Sequence, residues 1–200
     1  MVCFDIGLFI DWRYKNMIDL QNVSFQYSDS TYGVTNINLT IKAGECVVLT
    51  GKSGCGKTTI TRLINGLAPK YYKGTIKGSI RIAGKDIEMM PSYDISKIVG
   101  SIFQDPQRQF FSSELEGEIA FGCENYGFSK YEIQKRTRDA IHEMKLESIG
   151  KTTLDLLSSG EKQRTAIASV YAMYPYAVKE SRSHITDCRA SSKLDRRACR

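Results

Sequence analysis

Two hundred residues, 42% hydrophobic and 25% charged, fit one globular domain with a sizeable core and exclude a disordered chain. No run of about 18 apolar residues could cross a bilayer, and the opening MVCFDIGLFIDWRYKN has acidic interruptions where a signal peptide needs a basic start, so a cytosolic protein is expected. The net charge of +6 is uneven: residues 177–200 hold seven Lys/Arg against three Asp/Glu, the rest is nearly balanced, and no nucleic-acid partner is expected.

In chain order, Met17 to Tyr27 alternates apolar and polar residues as a half-buried strand does, and Val34 to Ile41 follows as a second extended segment after a polar turn. Residues 1–16 show no such pattern and read as an N-terminal extension, with the domain running over 17–176. Glu45 to Thr50 is a short apolar run that predicts a strand; it ends in a glycine-rich loop, after which Thr58 to Leu67 has helical spacing. Further strands are predicted at Ser79–Ile82 and Ile98–Phe103, and helices at Lys130–Met144 and Gly160–Ala172. Alternating strands and helices imply an α/β sheet. The cysteines, Cys3, Cys46, Cys55, Cys123, Cys188 and Cys199, lack C-x-x-C spacing and paired histidines, which argues for free thiols rather than zinc or a disulfide framework.

The loop carries the chemistry. Gly51-Lys52-Ser53-Gly54-Cys55-Gly56-Lys57-Thr58 fits G-x-x-x-x-G-K-[ST], and Thr59 continues it into the helix. Glycines let backbone N–H groups turn inward around phosphate oxygens, and the helix that starts here adds its positive end. Lys57 reaches the β- and γ-phosphates of a nucleotide such as ATP, and the Thr58 hydroxyl ligates Mg²⁺. A phosphate loop alone names only a superfamily of NTPases.

Four segments in this order resemble the ATPases of ABC transporters: Asn22-Val-Ser-Phe-Gln-Tyr27, the phosphate loop, Val99-Gly-Ser-Ile-Phe-Gln104-Asp-Pro, and Leu157-Ser158-Ser159-Gly160-Glu161-Lys-Gln-Arg164. The resemblance implies a P-loop NTPase fold of the ABC ATPase type, with an antiparallel N-terminal β-subdomain and a helical subdomain. It implies that Tyr27 stacks on adenine and that Gln104 acts catalytically beside Mg²⁺ or the attacking water, with the residues after it touching a transmembrane coupling protein. It implies that Ser158, Ser159, Gly160 and Glu161 serve the ATP held by a second ABC ATPase subunit. Residue by residue, Ser158 to Glu161 also reads as a capping box at a helix start. Ser159 and Glu161 depart from the family's LSGGQ, and with Leu63–Tyr72 and Phe110–Gly122 they are similar to the energy-coupling-factor branch, whose members drive micronutrient uptake from the cytoplasmic face of the membrane.

The resemblance stops after Pro175. Where the family has an apolar strand ending in Asp-Glu, this chain reads Tyr176-Ala-Val-Lys-Glu-Ser-Arg-Ser-His184, with Ser181 and Arg182 at the expected acidic positions. The basic tail 177–200 reads as an interrupted frame, and the C-terminal part of the core is expected to be missing. Two alternatives stand beside a hydrolysing transporter subunit: a non-hydrolysing ATP-binding or regulatory protein, and the product of a decayed gene.

Overall fold

The computed structural model describes residues 6–10, 16–42, 45, 47–103 and 105–173, with backbone only at 6–10 and 16. Two compact units emerge, residues 10–100 in one and 6–9 with the described part of 101–179 in the other.

The first unit is built on a sheet of order β3-β2-β4-β5, with β2 at Asn16–Tyr27, β3 at Gly33–Lys42, β4 at Gly74–Ile82 and β5 at Lys85–Asp86. Neighbouring strands run antiparallel throughout. The central strand β2 contains a phase slip that its sequence already records: Ile18 and Leu20 fall on even positions, Val23 and Phe25 on odd ones, yet all four are buried. A register shift between Gln21 and Ser24 reconciles the two halves. Asn22 takes up the extra residue at φ 51, and its N–H donates to Asn38 Oδ1 at 2.9 Å. Asparagine tolerates that left-handed backbone better than most residues, and the bulge keeps the apolar face pointing inward.

Against this sheet lies α1, Lys57–Ile64, which buries Ile60, Leu63 and Ile64. It stops short of the expected Leu67 because Gly66 turns left-handed at φ 74, and the short turn α2 follows at Leu67–Lys70. A further short helix, α3, spans Ser92–Ser96. The strand expected at Glu45–Thr50 is not one: Glu45 and Val47–Thr50 are irregular and Val48 is exposed. A buried strand of a parallel sheet needs hydrogen-bonding neighbours on its edges, and among the described residues no strand pairs with this segment.

The second unit is mainly helical. Helices α4 at Leu115–Asn125, α5 at Lys130–Glu143 and α6 at Ser159–Met173 enclose a core that includes Leu115, Ile119, Cys123, Ala140, Ala168 and Tyr171. Small buried residues, Thr165, Ala166, Ala168, Ser169 and Ala172, let α6 pack closely on α4 and α5. The Ser129 hydroxyl caps α5 by accepting from Glu132 N at 3.3 Å. Strand β1, Ile6–Ile10, forms a two-stranded sheet with β6, Val99–Phe103, although residues 1–16 had offered no strand pattern. Ile102 packs with Ala166 and Val170 of α6.

Candidate functional site

In the first unit Gly51 to Gly56 form an irregular, glycine-rich turn that leads into α1. Residues Gly51 to Gly54 are exposed, Cys55 to Lys57 half-buried, Thr58 exposed and Thr59 buried. The Lys57 ammonium donates to Gly51 O at 3.1 Å and Lys52 O at 3.0 Å, with Cys55 Sγ at 3.9 Å, so it lies inside the ring of the loop. Gly56 is the N-cap of α1 at φ 92, and a Cβ there would lie 2.5 Å from Val34 Cγ1. Only glycine meets both demands. No side chain caps the helix, which leaves its first N–H groups to an external acceptor. An exposed N–H cradle, an interior ammonium and an uncapped helix start together suit a polyphosphate. The exposed Thr58 hydroxyl suits a cation shared with phosphate oxygens; among the described residues no cluster of three His, Cys, Asp or Glu could hold a metal by itself.

Tyr27 ends β2 in phase with Val23 and Phe25, so its ring turns toward α1. Its hydroxyl lies 3.1 Å from Thr59 Oγ1 and accepts from Arg62 Nη1 at 3.2 Å. The Arg62 guanidinium covers the Tyr72 ring at 3.8 Å, and Tyr27 meets Phe25 and Tyr72 edge to face, with centroids 4.9 and 6.5 Å apart. Tyr27, Arg62 and Tyr72 border a cavity of about 550 Å³ with Tyr32, Tyr71 and Lys73 on its other walls. Its size suits a small organic ligand. Arg62, Tyr32 and Tyr72 were missed in the sequence; the available signal was Arg62 one helical turn after Thr59.

In the second unit, Gln104 itself lies outside the described residues. The segment after it is tightly tied. The Asp105 carboxylate accepts from Gln107 N at 3.2 Å and from Arg108 Nε at 3.1 Å, and Phe103 N donates to Gln109 Oε1 at 3.0 Å. Glu118, buried on α4, accepts from Phe111 N at 2.8 Å and Ser112 N at 2.9 Å through one oxygen. Phe111 is thereby held 76% exposed, stacked on Phe121 with centroids 4.9 Å apart.

Ser158 to Glu161 form the expected capping box at the start of α6: Glu161 N donates to Ser158 Oγ at 3.4 Å, and the Glu161 carboxylate accepts from Ser158 N at 2.8 Å and Ser158 Oγ at 2.6 Å. Those bonds hold the Glu161 carboxyl below its ordinary range. Ser158, Ser159 and Gly160 are exposed, and a Cβ added at Gly160 would meet nothing within 4 Å. Among the described residues nothing requires glycine at that helical position. The Cys123 thiol, pushed up to about 11 by burial in the helical core, offers no nucleophile at neutral pH. The acidic positions sought at Ser181 and Arg182 lie outside the described residues, and no helix among the described residues is long and apolar enough to cross a membrane.

The sequence pattern of the ABC transporter family matches residues 34–178. A Treponema denticola protein that carries the name of an ABC transporter ATP-binding protein is 46% identical over 155 residues, covering 77% of this chain and 32% of its own length. Similarly named proteins of Methanosarcina mazei and Saccharolobus solfataricus are 39% and 38% identical, over 82% and 83% of the chain and 27% and 31% of their own lengths. The chain thus spans about a third of the length of these relatives. Among solved structures, cbiO1 from Clostridium perfringens, part of the ABC transporter complex cbiONQ, superposes with a TM-score of 0.69 at 29% identity, over 80% of this chain and 62% of that one. With the family pattern covering well over half of its residues, the chain belongs to the ABC transporter family.

Proposed function

We propose that this chain is the ATP-binding part of an ABC transporter, holding Mg-ATP in the loop Gly51 to Thr59 and coupling that binding to transport of a micronutrient such as a vitamin or metal ion. The observation that carries the reading is the Lys57 ammonium inside the loop, next to a helix start without a side-chain cap. In this arrangement Lys57 exchanges two carbonyl partners for phosphate oxygens, the N–H groups of 51–58 orient the polyphosphate, and Thr58 holds Mg²⁺. The bound Mg²⁺ supplies charge neutralisation at the β- and γ-phosphates.

Tyr27 takes the base. Gly160, on which no described residue places a steric demand, together with Ser158 and Ser159, serves the nucleotide of a second ABC ATPase subunit. Phe111, stacked yet exposed, belongs to the face that meets a transmembrane partner, and the chain works as a peripheral protein on the cytoplasmic face of the membrane. Similarity to cbiO1 of the cbiONQ complex supports the energy-coupling branch. The residue pattern at 176–184 supports a second reading, binding without turnover, because it lacks the paired carboxylates that would hold the metal and polarise water.

Titration calorimetry with Mg-ATP and a phosphate-release assay test both readings. Wild type binds; Lys57→Ala loses affinity by roughly ten- to a hundredfold, the worth of a charged hydrogen-bond donor. Turnover that vanishes in Lys57→Ala selects the hydrolysing reading, binding without turnover selects the second, and unaltered affinity in Lys57→Ala overturns the site.

A further inference from the structure

Tyr27 is held in place by the helix it faces. Its hydroxyl is shared by Thr59 and Arg62, residues one turn apart on α1, and Arg62 in turn stands over the Tyr72 ring. A tyrosine ring at a strand end can swing about χ1 and χ2, and a hydroxyl clamped by two side chains removes that freedom. The guanidinium makes both contacts at once, donating to the hydroxyl through Nη1 while its Cζ stands over the Tyr72 ring. The clamp is anchored on the same helix whose first turn forms the phosphate cradle, so ring and cradle are registered against each other. The cavity of about 550 Å³ opens beside the clamped ring.

We infer that Arg62 is a positioning residue for base recognition: it fixes the Tyr27 ring relative to the phosphate loop, so that affinity for a nucleobase, and not for the polyphosphate, depends on it. This rests on the nucleotide-binding reading above. In this role Arg62, which also borders the cavity, acts through Tyr27.

The full chain is titrated with Mg-ATP and, separately, with Mg-tripolyphosphate, which has the phosphates but no base. Arg62→Met keeps the apolar stem and removes the donors. It is expected to weaken ATP binding about three- to tenfold, the worth of one part-buried hydrogen bond, while tripolyphosphate affinity stays within about twofold. Arg62→Lys, which retains one donor and a cation over Tyr72, recovers part of the loss. Tyr27→Phe keeps the ring and removes the hydroxyl; it shows the same base-specific loss, and Arg62→Met adds nothing to it. Should Arg62→Met not fold, Tyr27→Phe and Arg62→Lys decide the question. An ATP-to-tripolyphosphate ratio unchanged in these variants overturns the inference while leaving the phosphate site standing. Wild type that binds neither ligand overturns the inference together with the reading beneath it.

Discussion

Replacing Gly56 with alanine tests the geometry of the phosphate loop. At φ 92 an alanine enters the left-handed region, which costs about 1–2 kcal/mol for a residue with a Cβ. The new methyl would also lie 2.5 Å from Val34 Cγ1, about 1 Å inside a comfortable carbon–carbon contact. Val34 is buried and β-branched, so it has little room to turn away, and overpacking of that kind costs about 1–3 kcal/mol. The smaller conformational freedom of alanine in the unfolded chain returns about 0.4–1 kcal/mol. The net expectation is a loss of about 1–5 kcal/mol, a large share of the about 5–15 kcal/mol typical of a folded domain. Urea unfolding of wild type, Gly56→Ala, Val34→Ala and the double variant separates the two causes. Trimming Val34 relieves only the overlap, so the double variant should be about 1–3 kcal/mol more stable than the sum of the singles predicts. A Gly56→Ala protein within about 0.5 kcal/mol of wild type would refute the strain argument, and strict additivity would refute the contact with Val34.

Two further outcomes concern the second unit. Glu118→Ala should cost about 2–4 kcal/mol by urea unfolding, because Phe111 N and Ser112 N lose their acceptor. Glu118→Gln, which can place one amide oxygen where both bonds converge, should cost about 1 kcal/mol or less; equal damage from both variants would contradict this account. Ser158→Ala removes the cap of α6 at about 0.5–2 kcal/mol. The Ser158 hydroxyl and N–H hold Glu161 below its ordinary value of 4.5, so this stabilisation is full above pH 4.5 and is lost as pH falls through the lowered folded value. A stability profile across the acid range should flatten in that window for Ser158→Ala, and a profile unchanged from wild type would show that the bond to Glu161 is not made in solution.

Local chemistry was legible where it depends on neighbours in the chain. The box from Ser158 to Glu161 is set by residues within four positions of one another and took the expected form, and the helix after the loop starts within a residue of the expected Thr58. Strands β2 and β3 and the helices α5 and α6 followed their periodicity to within a residue or two, whereas β4 starts at Gly74, five residues before the expected Ser79, and β5 was not foreseen. Glu45 to Thr50 failed because an apolar run becomes a strand only when another strand pairs with it, which no local pattern encodes. Helix α4 went unpredicted since Gly117 and Gly122 interrupt its apolar spacing; Gly122 proves to be the point where Met173 of α6 comes close. Arg62 and Glu118 were silent for a similar reason. Their partners, Tyr27 35 residues away and two main-chain amides, are visible only after folding.

Strand β2 is hydrogen-bonded along both edges, to β3 on one side and β4 on the other, and Tyr27 is its last residue. Amide exchange in such a strand requires opening the sheet, so protection should be deepest there and shallowest over the exposed stretch Gly51 to Gly54. A ligand contacting both would meet a platform already frozen on the timescale of hours and a loop that equilibrates far faster. Its ordering cost would fall almost wholly on the loop, and deuterium uptake in 51–54, not in β2, would register its arrival.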